Sequence, residues 1–172
     1  MERLWAPWRL EYVTQAKSEG CIFCEKPQLG DDRAAHIVYR GSLAYVVLNA
    51  FPYNNGHVMV APYAHVSAFE EVPAEILHEM MDIAQLCVRA YKLTLHPDGI
   101  NIGFNLGTAA GAGIKDHLHL HLVPRWEGDT NFMPVIGDVR VIPQSLDAAY
   151  EQLAAAFKEL TQAHQLPRSS HT

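Results

Sequence analysis

The chain has 172 residues, which is enough for one domain with its own hydrophobic core. With 49% hydrophobic and 19% charged residues it is a globular protein rather than a disordered one. The net charge of −6 and the lack of a long apolar run lead us to expect neither a nucleic-acid nor a membrane partner. Three cysteines do not suit a secreted disulfide framework, and no signal sequence is visible, so we expect a cytoplasmic protein.

The N-terminal segment, residues 1–20, contains Trp5 and Trp8, which are costly to leave in water. We expect this segment to pack against the rest of the protein or a second subunit. Cys21 and Cys24 follow with a spacing that suits one metal ion or a redox pair. The metal is favoured because no βαβ unit surrounds the pair. Residues 25–35 are rich in turn residues and are predicted to be a loop.

Three strands are predicted next, at His36 to Tyr39, Ala44 to Leu48 and His57 to Ala61. Residues 49–56 between the last two are a turn-rich loop. Asn49 stands where a strand delivers a side chain to this loop, which suits either a ligand contact or a turn cap.

A helix is predicted from Pro73, and another from Leu146 to about His164. The first has an apolar stripe at helical spacing, formed by Ile76, Met80, Ile83, Cys87 and Ala90. Between the helices, residues 100–106 alternate apolar and small polar residues, as a half-buried strand does. Short connections between neighbouring strands favour an antiparallel sheet, so the fold class is α+β.

Histidine and leucine alternate in the stretch His117-Leu-His-Leu-His-Leu. As a strand, this stretch places His117, His119 and His121 on one face and the leucines in the core. The histidine row could be a solvated face, a zinc site, or a nucleophilic histidine beside histidines that hold an anion. The glycine-rich loop at residues 107–113 precedes it, and its backbone N–H groups could approach a phosphate closely.

The stretch His117-Leu-His-Leu-His-Leu-Val resembles the signature of the histidine-triad superfamily, and residues 20–126 follow the order of that family. Leu-Trp-Ala-Pro-Trp-Arg near the N-terminus, Cys-x-x-Cys, Gly-Ala-Gly and Val-Pro-Arg-Trp look like a bacterial branch that includes diadenosine tetraphosphate phosphorylases. The resemblance implies an antiparallel sheet of about five strands with two helices, and a homodimer with a continuous sheet. It also implies one domain over residues 1–172, with the family core at 21–126 and a C-terminal extension at 127–172.

The same resemblance implies a chemistry. His119 would attack the α-phosphorus of an adenosine nucleotide, and water or orthophosphate would then accept the AMP group, with phosphorolysis favoured by the branch. His121 would neutralise phosphate oxygens, and His57 would support the triad. The residues placed by resemblance at the nucleotide are Leu48, Asn49, Phe51, Asn105, Thr108, Gly111, Gly113 and His121. Many relatives have a hydroxyl residue just before the triad, whereas this chain has Lys115 and Asp116 there.

In zinc-bearing relatives, a Cys-x-x-Cys and two histidines hold the metal. Here those positions are filled by Cys21, Cys24, His65 and His117, which implies a structural Zn²⁺ with no open position. His36 is a rival for the fourth ligand. Other functions compatible with the sequence are a phosphoramidate or AMP-conjugate hydrolase, a non-catalytic purine-nucleotide-binding dimer, and a zinc hydrolase that uses the triad as ligands.

Overall fold

The computed structural model describes residues 20–129 and 142–165. The chain order is helix, helix, three strands, helix, two strands, helix. These elements are α1 (Ile22–Glu25), α2 (Asp32–Ala35), β1 (Ile37–Arg40), β2 (Ala44–Leu48), β3 (Val58–Pro62), α3 (Ala74–Thr94), β4 (Gly99–Phe104), β5 (Leu120–Arg125) and α4 (Leu146–Gln165).

The five strands form one antiparallel sheet in the order β1-β2-β3-β5-β4. This confirms the predicted α+β class and the predicted sheet. β3 and β5 pair at the centre, where Met59 lies opposite His121. Because facing residues of an antiparallel pair share a side of the sheet, His121 and Met59 point to the same face.

The two long helices, α3 and α4, cover the other face. Pro73 is the N-cap of α3, and the predicted stripe of this helix is buried throughout. α3 packs mainly on β2, β3 and β5, while α4 packs on α3 and β1. The leucines at 118, 120 and 122 belong to this helix-side core. A smaller apolar cluster lies on the opposite face, around Phe23, Tyr45 and Met59.

Residues 25–35 are not the predicted loop. Lys26–Gln28 form a 3-10 turn, and α2 follows it. The reason is local, because the Asp31 carboxylate accepts the backbone N–H of Ala34 at 3.1 Å and caps α2. Asp31 is one of the turn residues within the predicted loop, but its side chain caps the start of a helix instead.

The strand at 100–106 also differs from the prediction. Ile102 is 46% exposed and Leu106, which lies beyond the end of β4, is 52% exposed. β4 is an edge strand of the described sheet, and α3 packs mainly on the central strands, so among residues 20–129 and 142–165 no helix covers the apolar side of β4.

The expectations for the Trp5 and Trp8 segment lie outside the described residues. Within residues 20–129 and 142–165, no helix combines the length and the apolar character needed to cross a bilayer.

Candidate active site

The histidine row lies on the sheet face opposite α3. The rings of His117, His119 and His121 are buried, whereas the leucines between them pack in the helix-side core. The backbone hydrogen bonds that pair β5 with its neighbouring strands start at Leu120. His117 and His119 therefore precede the hydrogen-bonded part of the strand. The period-two alternation nevertheless holds across the whole stretch, and the rings of His119 and His121 meet edge to face at 4.8 Å.

The orientation of the His119 ring follows from one hydrogen bond. Its Nδ1 lies 2.8 Å from the backbone oxygen of His117. A carbonyl oxygen can only accept, so Nδ1 carries the hydrogen and Nε2 of the neutral ring keeps its lone pair. Burial lowers the pKa of His119, which favours this neutral form. His119 is therefore held as an imidazole with an unprotonated Nε2, the form that a nucleophile requires.

The tautomers of His57 and His121 follow in the same way. The backbone N–H of Tyr53 donates to Nδ1 of His57 at 3.1 Å, so the hydrogen of His57 is on Nε2. That Nε2 lies 2.9 Å from Nδ1 of His121, which accepts from it. The hydrogen of neutral His121 is then on its own Nε2, where it can donate to a phosphate oxygen. Burial, with His119 nearby, lowers the pKa of His121 to about 4, so this ring is neutral at physiological pH.

Asn105 adjoins the histidine row. Its amide nitrogen lies 3.5 Å from Nε2 of His121. A Cβ built on Gly111 would lie 3.8 Å from the same amide nitrogen, so the glycine-rich loop comes close to Asn105. The sequence prediction placed both residues near a phosphate, and the structure brings both to the edge of the triad.

The glycine-rich loop offers fewer N–H groups than predicted. The N–H of Gly111 donates to the Thr108 oxygen at 3.0 Å, and that of Ala112 donates to the Gly107 oxygen at 3.2 Å. These two groups are therefore engaged inside the loop. Thr108 begins an exposed 3-10 turn. Of the two glycines that were predicted to contact the nucleotide, Gly113 is therefore the better candidate to donate its N–H to an anion.

Asn49 is tied into its own loop. Its side-chain oxygen accepts the backbone N–H of Phe51 at 2.9 Å, and its amide nitrogen lies 3.3 Å from Nδ1 of His57. These are the contacts of a turn residue, the alternative left open by the sequence. They also link the loop to the His57–His121 pair.

The prediction for Leu48 is wrong. Its side chain is 2% exposed and belongs to the helix-side core, opposite the histidine row. Leu48 faces Val58 across the β2–β3 pair, whereas Val47 faces Met59 on the histidine side. The period of two along β2 therefore turns Leu48 away from any nucleotide at the histidines.

Four potential metal ligands converge beside the triad. The side-chain ligand atoms of Cys21, Cys24, His65 and His117 all lie within 4.8 Å of one another. Nδ1 of His117 is 3.3 Å from the Cys21 sulfur and 3.6 Å from the Cys24 sulfur. Nδ1 of His65 is 3.4 Å from the Cys24 sulfur. A tetrahedral zinc site has sulfur–nitrogen edges of about 3.5 Å, so the four atoms fit such an ion.

The tautomer of His117 also suits a metal. Its Nε2 lies 2.9 Å from the carbonyl oxygen of Pro62 and must donate there. Its Nδ1 is then unprotonated and faces the two cysteines, as a metal ligand requires. The rival His36 lies outside this cluster, at the C-terminal end of α2 with its ring edge-on to Tyr150.

Two aromatic residues of the site were missed in the sequence. Phe23, between the two cysteines, has its ring centroid 5.2 Å from that of His117 and 4.7 Å from that of His119. The ring of Tyr53 stacks on His121 at 5.6 Å and lies 4.6 Å from His57. Two signals in the sequence could have revealed them. One aromatic residue stands inside the Cys-x-x-Cys motif, and a second stands four positions before His57.

Comparison with known proteins agrees with this geometry. The family model of the HIT domain matches residues 31–128. A Mycobacterium tuberculosis protein named AP-4-A phosphorylase is 44% identical over 166 residues, which cover 91% of this chain and 85% of that protein.

Solved structures show the same relationship. A Zn-bound histidine triad family protein from Mycobacterium smegmatis has a TM-score of 0.67 at 29% identity, covering 84% of this chain and 97% of that one. A hypothetical histidine triad nucleotide-binding protein from Sulfolobus tokodaii shares the fold, with a TM-score of 0.64 at 23% identity over 82% of this chain and 94% of that one. The histidine row, the sheet and the family model together place this chain in the HIT family.

Proposed function

We propose that this protein is a nucleotidyl transferase or hydrolase that cleaves adenosine polyphosphates, such as diadenosine tetraphosphate, through an intermediate on His119. The observation that carries the proposal is the 2.8 Å hydrogen bond from Nδ1 of His119 to the His117 oxygen, which leaves Nε2 as the nucleophile. The 44% identity to a protein named AP-4-A phosphorylase supports the substrate class.

The reaction has two displacements at the α-phosphorus. Nε2 of His119 forms a bond to phosphorus, the bond to the leaving phosphate oxygen breaks, and AMP remains on the histidine. Water or orthophosphate then attacks, the phosphorus–nitrogen bond breaks, and its electron pair returns to Nε2. In both steps the N–H at Nε2 of His121 would neutralise charge on the phosphoryl oxygens, because charge accumulates there as the leaving group departs.

The nucleotide would lie over the loop at 49–56. Phe51, which is 47% exposed, presents an aromatic ring suited to an adenine. We place the ribose near Asn49 and the phosphates near Asn105, Thr108 and the N–H of Gly113. Tyr53 would act indirectly, since its backbone N–H sets the tautomer of His57.

We also propose that Cys21, Cys24, His65 and His117 hold a structural zinc ion. When bound, the ion would supply a rigid tetrahedral link between the start of the chain and the triad, without an open position for substrate. His117 would then serve both sites, with its ring as a ligand and its carbonyl oxygen as the acceptor for His119. The Zn-bound relative from Mycobacterium smegmatis supports the choice of metal.

Two further properties follow as proposals. The exposed edge and apolar side of β4 suit a homodimer in which two sheets become continuous. Cys21, Cys24 and Cys87 form no disulfide, which suits a reducing compartment, and we expect the cytoplasm.

The decisive experiment follows diadenosine tetraphosphate with and without orthophosphate. The phosphorus–nitrogen bond of the adduct is acid-labile, so the reaction should be quenched with alkali rather than acid. The position of the adduct is then located by mass spectrometry. Wild-type protein should carry AMP on His119, and His119→Ala should carry none while still binding AMP. ADP appears only if orthophosphate is the acceptor. Tight AMP binding without any turnover would instead indicate a nucleotide-binding module.

A further inference from the structure

A small cavity adjoins the histidine row, where His117 and His119 form part of its wall. Its volume is about 210 Å³, and it lies between the 3-10 turn Phe69–Glu71 and the segments that flank the glycine-rich loop. The lining residues that bear on its chemistry are Ser67, Glu70, Asn105, Lys115 and His119. The proposed function uses His119 and Asn105 but assigns nothing to the other three.

The size of this cavity limits what it can hold. Sites for drug-sized molecules generally measure about 300–1,000 Å³, so a complete second nucleoside does not fit. Phosphate groups do fit, and the cavity contacts His119, on which the AMP group would be carried. An in-line displacement places the leaving group and the later acceptor on the same side of the phosphorus. One small subsite beside His119 can therefore hold the phosphates of the departing ATP, with its nucleoside outside the cavity, and then the acceptor orthophosphate.

We propose that this cavity is the subsite for the acceptor orthophosphate and that Lys115 is the residue that selects orthophosphate over water. The inference rests on the proposed function, because it needs an AMP group on His119. Lys115 stands where the sequence provides no hydroxyl residue before the triad, and its ammonium group offers a full positive charge to a dianion.

The two acceptors make different demands. At neutral pH, orthophosphate already has ionised oxygens, so one of them can form the new bond to phosphorus without losing a proton. The phosphorus–nitrogen bond breaks, its electron pair returns to Nε2 of His119, and the product is ADP. Water must lose a proton in the same step. Positive charge in the cavity therefore helps orthophosphate far more than it helps water.

Glu70 lines the same cavity and carries the opposite charge. Its carboxylate opposes the binding of a dianion, whereas Lys115 favours it. Substitution of the two residues should therefore change orthophosphate binding in opposite directions. A structural role for either residue would not produce this pair of opposite effects.

The experiment measures the KM for orthophosphate and the ratio of ADP to AMP formed from diadenosine tetraphosphate. Loss of a charge-assisted contact in Lys115→Met should raise this KM about tenfold or more and shift the product towards AMP. Lys115→Arg should retain most of the selectivity, and Glu70→Gln should lower the KM. Lys92→Met, at an exposed position on α3, is the matched control and should leave both quantities unchanged.

Formation of the AMP adduct in the absence of orthophosphate separates the two proposals. The inference is supported if wild-type protein and Lys115→Met form the adduct equally, and the KM for orthophosphate is higher in Lys115→Met than in wild-type protein. If the adduct forms but the KM is the same in both, or if wild-type protein produces no ADP, the inference is overturned and the proposed function survives. If wild-type protein forms no adduct, the proposed function fails and the inference fails with it.

Discussion

The backbone oxygen of His117 accepts the Nδ1 hydrogen of His119 at 2.8 Å, while the ring of His117 faces two cysteine sulfurs. One residue thus contacts both the metal cluster and the candidate nucleophile. The ring of His117 is also fixed from its other side by the carbonyl oxygen of Pro62, at the end of β3. The ring of His117 is thus held between the cysteines and Pro62, and the backbone oxygen that orients His119 belongs to the same residue.

Substitution of a metal ligand should therefore weaken the fold around His119 before it affects the chemistry. His65 is an exposed member of the cluster, so His65→Asn removes a ligand without leaving a buried cavity. We expect zinc affinity to fall by about 100-fold or more, because loss of a direct ligand weakens metal binding more than loss of a residue that only hydrogen-bonds to a ligand. Zinc content and thermal unfolding, measured on the same preparation, report the two effects.

His78→Asn on α3 is the control for the loss of an exposed histidine, and it should match wild-type protein in zinc content and melting temperature. Folded His65→Asn protein should still form the AMP adduct. An immediate loss of adduct formation on chelation, with the protein still folded, would instead point to a metal that takes part in the chemistry.

The buried His121 should make the protein less stable in mild acid. Burial lowers its pKa from 6.5 to about 4, so between these values the unfolded chain binds a proton that the folded chain does not. Stability consequently falls as the pH decreases through this window, by roughly 1.4 kcal/mol per pH unit from this residue. Above pH 6.5 the ring is neutral in both states and contributes no pH dependence.

Urea unfolding at pH 7, 6 and 5 measures this slope. His121→Asn should give a shallower dependence than wild-type protein, and His78→Asn should keep the wild-type slope. An equal slope in wild-type protein and His121→Asn would mean that His121 is protonated normally in the folded state.

Two glycines with a left-handed φ offer a matched pair of substitutions. Gly111, in the glycine-rich loop, has φ of +91°, and Gly30, before α2, has φ of +72°, so a side chain is disfavoured at both positions. Each alanine substitution should therefore cost about 1–2 kcal/mol in the local conformation. Because the glycine-rich loop reaches Asn105 beside His121, kcat/KM for diadenosine tetraphosphate should fall in Gly111→Ala and remain near wild type in Gly30→Ala. Equal rates in both variants would show that the loop conformation does not matter for the reaction.

The features that the sequence revealed are those with a local period or a recognisable spacing. Alternation along the triad placed three histidines on one face, and helical spacing located the buried stripe of α3. Leu48 has the same apolar character as its neighbours, so only the β2–β3 register shows that it faces the helices. Asp31 looked like a turn residue, because its capping bond to Ala34 depends on a backbone that the sequence alone does not show.

Contacts between distant parts of the chain were the hardest to anticipate. Phe23 packs against His117 and His119 from the far end of the described chain, and no periodic pattern links these residues. The tautomers of His57 and His121 depend on a backbone N–H of Tyr53, which carries no signal in the sequence. The sequence pattern pointed to the histidines and cysteines that the structure brings together, but not to Phe23, Tyr53 or the protonation pattern of the histidines.

The exposed side of β4 leads to a prediction about assembly. Ile102 is 46% exposed at the edge of the sheet, beside Phe104, whose ring packs edge to face on Phe69 at 5.3 Å. A second copy of the chain paired along β4 would cover this apolar side and bond to the edge that β4 forms in the described part of the sheet. Ile102→Lys places a charge that would be buried in that interface, so the dimer should dissociate.

Light scattering coupled to size exclusion measures the mass of each variant. Wild-type protein should have the mass of a dimer and Ile102→Lys that of a monomer. The reason is that burial of an unpaired ammonium group destabilises the dimer by more than the pairing of the two β4 edges stabilises it. Met81→Lys is the matched control, since Met81 is 50% exposed on α3 and carries the same change of charge. It should remain a dimer. A monomeric wild-type protein, or an Ile102→Lys variant that still dimerises, would place the contact surface elsewhere than β4.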